Sequence, residues 1–301
     1  MQNIILYQAY GSADNINECR YSLLKFLQIY NLIPPANVKV VIYSDQPAAF
    51  ESFAAYIDLY VQQITPEEIQ KWRGEFDFVH RVKIEIIRDA FQHFDGNLLY
   101  CDTDTYIINR AEEIFNDIEK GIFCMHEYEG VLDKKANPAF EKWIKFLSST
   151  AIEFNQKKLV ISPQTRVWNA GVIGMNSRSA NTLDDVLSLT DALYSKFPKH
   201  IAEQLAFSYC LQKEGYVKSV SSDIAHYWNL KEFRTLLKEF FLVHGEESTP
   251  NLVKMISNFD AATVQDEKIK FRSQSLPKKM KSYLTGKAWK IEKYRKKLHL
   301  S

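Results

Sequence analysis

Cysteine is sparse in this chain and never closely spaced. Cys19, Cys101, Cys124 and Cys210 are the four present, and no two of them form a C-x-x-C pair. Cys101 and Cys124 fall inside apolar, strand-like runs, so the four read as reduced core thiols of an intracellular protein. Long apolar runs are missing as well. No stretch reaches the roughly 18 apolar residues of a membrane-spanning helix. Met1–Tyr10 lacks a basic leader, and its apolar run Ile4–Tyr7 is too short for a secretory signal. The expected location is therefore the cytoplasm, either free or peripheral on the inner face of a membrane without crossing it. There is no internal repeat and no low-complexity stretch.

What is there suits a soluble α/β protein. The 301 residues are 46% hydrophobic and 25% charged, enough for one large domain with a small appendage. The 16 Tyr, 19 Phe and 5 Trp can fill a core or line a ligand cleft, and their number alone does not choose. The net charge of +1 conceals a split. Lys268–Ser301 holds 12 Lys or Arg against the single acid Glu292, a net of +11, which leaves 26 basic and 36 acidic residues, a net of −10, in residues 1–267. A segment so basic usually meets something anionic. The expected division is a main domain over residues 1–262 and a basic helical extension over 263–301, with a linker near Thr263–Lys268 where the charge changes sign.

The first half alternates strands and helices. Ile4–Tyr7 suits a buried strand, Gly11–Asn15 a turn, and Cys19, Leu23, Phe26, Leu27 and Tyr30 recur at helical spacing until Pro34 and Pro35. Val38–Tyr43 reads as a second strand ending at Ser44-Asp45, and Tyr56–Val61 as a third. This βαβ opening predicts a mostly parallel sheet with ligand sites at the C-terminal ends of its strands. A helix follows over roughly Phe78–Phe94, with Val79, Val82, Ile86, Ile87, Ala90, Phe91 and Phe94 on one face. Val167–Met175 reads as a later strand, Ile201–Cys210 as a helix and Val217–Val220 as a strand. In the helix beginning at Asn181 or Thr182, Asp184 and Asp185 lie in the first turn, where the helix dipole favours acids, and they receive no catalytic role.

Two features point to chemistry. Lys83 lies in the middle of an apolar helix face, where an ammonium needs either an anionic ligand or a structural acid. Asp102-Thr103-Asp104 stands between the apolar runs Leu98–Cys101 and Tyr106–Ile108. In a regular strand these carboxylates point to opposite faces; if the chain turns at the strand end, both converge on one cation. Carboxylate oxygens suit Mg²⁺ or Mn²⁺, with diphosphate oxygens filling the remaining positions.

The run Leu-Leu-Tyr-Cys-Asp-Thr-Asp-Thr-Tyr-Ile from Leu98 resembles the metal-binding D-x-D segment of GT-A nucleotide-diphospho-sugar transferases, most closely the family-8-like enzymes. Three more pieces occur in that family's order over about residues 3–230. Ile4–Gly11 resembles its first strand and nucleotide loop, Trp168-Asn169-Ala170-Gly171-Val172 its strand beside the donor sugar, and Glu203-Gln204 its acid–Gln pair at the reaction centre. The resemblance implies a mixed, mostly parallel α/β sheet flanked by helices. It also implies transfer of a hexose from a nucleotide-sugar donor, leaning to a UDP-sugar, onto a glycan or lipid-linked acceptor.

By the same resemblance the metal ligands are Asp102, Asp104 and His226, the last in the place of the family's histidine after the acid–Gln helix. The donor contacts are Tyr7, Ala9, Tyr10, Asp45, Lys83, Asp102, Thr103, Asn169, Ala170 and Gly171. Glu203 and Gln204 are the catalytic pair. Glu203 stands where Asp is common, and the stereochemical outcome, retaining or inverting, stays open. A divalent ion at the D-x-D carboxylates offsets the negative charge that grows on a departing diphosphate.

Rival readings fit less of the chain. A haloacid-dehalogenase-type phosphohydrolase also carries D-x-D after an apolar strand but continues with Thr or Val where Tyr106 stands. A sugar-nucleotide pyrophosphorylase needs a Gly-rich, basic N-terminal loop that Ala9-Tyr10-Gly11-Ser12 does not supply. A non-catalytic nucleotide-sugar-binding protein of the same fold remains the third reading. In the basic tail, Lys278, Lys279, Lys281, Lys287, Lys290, Lys293, Arg295, Lys296 and Lys297 alternate with Tyr283, Leu284, Trp289, Ile291, Tyr294 and Leu298. This pattern suits an anionic membrane surface or a helix packed on the acidic body; nucleic acid is not the expected partner.

Overall fold

A computed structural model of the chain describes residues 2–132, 138–154, 157–159 and 161–300. The chain opens with β1 (Gln2–Gln8), α1 (Ala13–Ile29), β2 (Val38–Ser44) and β3 (Asp58–Gln63). It continues through α2 (Pro66–Arg73), α3 (Arg81–His93), β4 (Gly96–Cys101), β5 (Thr105–Ile107), α4 (Glu112–Glu119), β6 (Phe123–Met125) and β7 (Tyr128–Val131). Then come α5 (Pro138–Ser149), the short hairpin of β8 (Glu153–Phe154) and β9 (Lys157–Lys158), β10 (Arg166–Trp168), β11 (Val172–Asn176), α6 (Thr182–Lys196), α7 (Ala202–Glu214), β12 (Val217–Ser219) and β13 (Ile224–His226). The C-terminal part is helical: α8 (Phe233–His244), α9 (Thr249–Ile256), α10 (Ala261–Arg272), α11 (Leu276–Leu284) and a 3₁₀ segment, Ile291–Leu298.

The expected fold class is the observed one. The central sheet runs β12-β6-β11-β4-β1-β2-β3, and β11 alone opposes its neighbours. Both faces are covered, which is why β1 and β4 are apolar without alternation. Ile5, Tyr7, Leu99 and Cys101 pack under α1, α8 and α9, whereas Ile4, Leu6, Leu98 and Tyr100 pack under α3, α6 and α7. Among the described residues no helix is long and apolar enough to cross a membrane.

Several local expectations are corrected. The helix expected over Phe78–Phe94 is Arg81–His93, and Val79, placed on its apolar face, is 44% exposed. The third strand lies two residues later than expected. Val167–Met175 is not one strand: Asn169 Oδ1 accepts from the Gly171 N–H at 2.9 Å, a local turn that breaks the run. β10 then pairs with β7 while β11 enters the main sheet. The anticipated linker near Thr263–Lys268 is the middle of α10, where Val264, Gln265 and Lys268 are buried. Asn181 is at the N-cap of α6 but its side chain makes no capping bond, and Asp184 pairs with Arg88 at 2.7 Å.

Candidate active site

The site is built where β4 ends. After Cys101 the chain turns, with the Thr105 N–H donating to Asp102 O at 3.0 Å. This turn cancels the alternation that would separate Asp102 from Asp104. β13 pairs antiparallel with β5 and sets His226 opposite Thr105. One ligand atom each from Asp102, Asp104 and His226 lies within 4.8 Å of the others.

His226 Nε2 lies 3.1 Å from Asp104 Oδ1; since the carboxylate accepts, Nε2 carries the proton. That leaves the Nδ1 lone pair, which is buried with no hydrogen-bond partner. Asp104 also meets Lys231 Nζ at 3.3 Å. Burial alone would push its carboxyl up, but the hydrogen bond from His226, aided by the Lys231 ammonium, holds it well below the usual carboxylate range. Two carboxylates and an imidazole with an unpartnered nitrogen make a donor set that suits a hard or borderline divalent cation.

Lys83 belongs to the same cluster. It is 3% exposed, with Nζ 3.2 Å from Asp102 Oδ1, 3.0 Å from Glu203 Oε1 and 2.8 Å from the Ala170 carbonyl. The contact to Glu203 is an ion contact rather than an aligned hydrogen bond. Burial opposes the charged ammonium, yet Asp102 and Glu203 outweigh it and raise the lysine above its ordinary value. Tyr100 donates to the same Asp102 carboxylate at 2.7 Å. The lysine on the apolar face therefore has structural acids for partners, and these include Asp102 itself.

The Asn169-Ala170-Gly171 turn lies over the cluster. The Gly171 carbonyl accepts from the Asp102 N–H at 2.8 Å, and a Cβ at Gly171 would fall 2.4 Å from His226 Cε1. Glycine is needed there for close approach of the imidazole, not for its dihedral freedom. Asn169 and Gln204 each donate an amide N–H to one oxygen of Glu129, at 3.0 and 2.9 Å.

No protein-family profile matches the chain, and no curated protein does. Among solved structures it is similar to apo mouse xyloside xylosyltransferase 1, at 10% identity and a TM-score of 0.46, over 73% of this chain and 85% of that one. It is also similar to the galactosyltransferase LgtC bound to donor and acceptor sugar analogues, at 10% identity and a TM-score of 0.46, over 68% of this chain and 70% of that one.

The structure brings most of the expected residues to one end of the sheet. Asp102, Thr103, Asp104, Lys83, Asn169, Ala170, Gly171, Glu203, Gln204 and His226 belong to the cluster or touch it. Tyr10 and Asp45 meet beside it at the ends of β1 and β2, where Asp45 Oδ2 accepts from the Gly11 N–H at 3.1 Å. Burial pushes the Tyr10 phenol up to about 12. Tyr7 and Ala9 are different: both are buried in the core, and the Tyr7 hydroxyl bonds Ser22 at 2.9 Å under α1. Three residues of the site escaped the sequence reading. Lys231 had a local signal, five residues after His226. Glu129 and His126 had none, because only the pairing of β7 with β10 and the approach of β13 make them neighbours of the site.

Proposed function

We propose that the chain is a metal-dependent glycosyltransferase that moves a hexose from a nucleotide-diphosphate sugar, a UDP-sugar by preference, to a glycan or lipid-linked acceptor. The observation that carries this reading is the convergence of Asp102, Asp104 and His226 within 4.8 Å at the end of a central parallel strand. Mn²⁺ or Mg²⁺ held by these residues would supply Lewis-acid charge for a diphosphate leaving group.

The chain's own groups complete the task. Lys231, whose side chain is 57% exposed, offers an ammonium to diphosphate oxygens. Lys83 is enclosed and instead holds Asp102 and Glu203 in place. Tyr10 and Asp45 stand at the strand ends where a nucleoside would lie. Fixed through Glu129, the Gln204 amide keeps its carbonyl and second N–H, and the Asn169 amide, whose carbonyl already accepts from Gly171, keeps its second N–H for sugar hydroxyls. In transfer, the bond from the anomeric carbon to the diphosphate breaks and the nucleoside diphosphate leaves with the electron pair. An acceptor hydroxyl oxygen bonds the vacated carbon, and its proton passes to the departing diphosphate oxygen.

Thermal unfolding with nucleotides and nucleotide-sugars, each with and without Mn²⁺, tests this. The expected result is a rise with UDP or a UDP-sugar that requires Mn²⁺ and disappears in Asp104→Ala. No shift with any nucleotide, with or without metal, sinks the reading. A shift without sugar transfer to any acceptor or to water identifies a non-catalytic binding protein instead.

The same reading extends to a membrane partner through α11. Its apolar residues Leu276, Met280, Tyr283 and Leu284 are 62–87% exposed and alternate with Lys278, Lys279 and Lys281, a composition suited to an anionic lipid surface. Sedimentation with phosphatidylglycerol vesicles at low salt, but not with phosphatidylcholine vesicles, is expected of the full chain. Equal sedimentation after Leu276→Ser, Met280→Ser and Leu284→Ser together removes α11 from this role.

A further inference from the structure

A second concavity lies beside the site. Tyr128, Arg166, Trp168, Tyr216, Lys218 and Ser219 line a cleft of about 330 Å³, within the roughly 300–1,000 Å³ of ligand clefts. The β7–β10 ribbon supplies one wall, and β12 with the residue before it supplies the other. β12 is the outer strand of the sheet, so among the described residues no further strand covers this side.

Its chemistry is uneven in an informative way. Tyr216 is 65% exposed and Tyr128 44% exposed, and the Tyr128 and Trp168 rings stand 5.1 Å apart at 53°. Aromatics exposed singly are ordinary; here the exposed Tyr128 and Tyr216 border one cleft together with the largely buried Trp168. Trp168 Nε1 is buried without a hydrogen-bond partner. Lys218 is partly neutralised by Asp117 at 2.5 Å, whereas the exposed Arg166 guanidinium has no carboxylate partner among the described residues. Flat apolar faces edged with hydrogen-bonding groups suit a sugar ring, whose C–H face stacks while its hydroxyls bond at the rim. An unpaired guanidinium at that rim suits an anion on the sugar.

The topology says which sugar. Tyr10 and Asp45, at the ends of β1 and β2, lie on one side of β4; the cleft lies on the other, along β6 and β12. Three strand steps of about 4.8 Å separate β12 from β4, or about 14 Å. The link between them is short. Trp168 precedes Asn169, Tyr128 precedes Glu129, and Ser219 Oγ donates to the His126 carbonyl at 2.9 Å. The His126 ring in turn stands edge-on to His226 at 5.0 Å. Donor groups and cleft thus flank the Asp102–Asp104–His226 cluster from opposite sides.

We propose that the Tyr128–Trp168–Tyr216 cleft is the acceptor subsite, and that it takes a saccharide bearing a carboxylate or a phosphate. This rests on reading the carboxylate–histidine cluster as a sugar-transfer centre. The test uses the full chain without donor or metal. Saturation-transfer NMR and titration calorimetry follow three probes: lactose, a glucuronate-containing disaccharide and glucose 6-phosphate.

Wild type is expected to bind at least one anionic probe about ten-fold more tightly than lactose, Tyr216→Ala to weaken that probe by about ten-fold, and Arg166→Gln to abolish the preference over lactose. Both side chains are exposed, so both variants are expected to keep the wild-type thermal midpoint and any Mn²⁺-dependent nucleotide shift. Which anionic probe binds identifies carboxylate or phosphate. The proposal is overturned if neither anionic probe binds, if lactose binds as tightly, or if both variants bind as wild type does. Absence of the nucleotide shift in wild type, with saccharide binding intact, would instead overturn the transfer reading and with it the acceptor role, leaving the cleft a saccharide-binding site.

Discussion

At the scale of the residue, the site depends on what is missing from Gly171 and on what surrounds Lys83. A methyl group at Gly171 would sit 2.4 Å from His226 Cε1 and 2.6 Å from Nδ1, closer than packed atoms come, so the imidazole must move. Gly171→Ala is expected to fold but to lose the Mn²⁺-dependent thermal shift, as Asp104→Ala does; an unchanged shift would show that His226 is not a ligand. Lys83→Met leaves the buried Glu203 carboxylate without its cation and is expected to destabilise the protein by about 3–5 kcal/mol. Adding Glu203→Gln removes the stranded charge. Denaturant unfolding should therefore find the double variant more stable than Lys83→Met alone, and a double variant as unstable as the sum of the two singles would show that the pair is not coupled.

At the scale of the element, the basic tail divides. The 3₁₀ segment Ile291–Leu298 and the residue after the turn that follows it bury Ile291, Tyr294, Leu298 and Leu300 in the core under α8 and α9, whereas α11 buries nothing. Even spacing of lysines and aromatics concealed this, because the pattern records amphipathicity and not what covers the apolar side. Ending the chain at Lys287 is expected to lower stability by several kcal/mol, since each lost aliphatic burial is worth about 1.5–3 kcal/mol. The serine variant of α11 should melt as wild type does. If truncation at Lys287 left the thermal midpoint unmoved, the docking of residues 288–300 would be wrong. Continuous hydrophobicity likewise concealed the break inside Val167–Met175, although the turn-forming Asn169 and Gly171 stood in plain view. The break is what lets β10 leave the sheet and turn Asn169 towards Glu129.

At the scale of the whole molecule, one sheet buried on both faces joins everything, so the four cysteines report global rather than local opening. All are buried. Burial pushes the thiols of Cys101, Cys124 and Cys210 up to about 12 and raises that of Cys19 well above its ordinary value, far from the thiolate form that reacts. Ellman's reagent is expected to modify none of them in the native protein at neutral pH and all four in guanidinium. Rapid labelling of one thiol in the folded state would reveal a local opening that this core does not provide for.

The sequence by itself determined the parallel opening of the fold, the helix carrying Lys83 and the strand leading into Asp102-Thr103-Asp104. Each is local: apolar periodicity and the place where a strand ends can be read along the chain. Through its resemblance to a known family it also marked Asn169-Ala170-Gly171, Glu203-Gln204 and His226 as pieces of one candidate site. The tertiary structure alone decided that Lys83 is enclosed by Asp102 and Glu203, that Tyr7 and Ala9 are enclosed in the core, and that Glu129 ties Asn169 to Gln204. Only the tertiary structure, too, divided the basic tail into a docked half and a free helix. These are contacts between residues far apart in the chain, and their energies depend on which surfaces meet and exclude water, a property that no stretch of sequence carries alone.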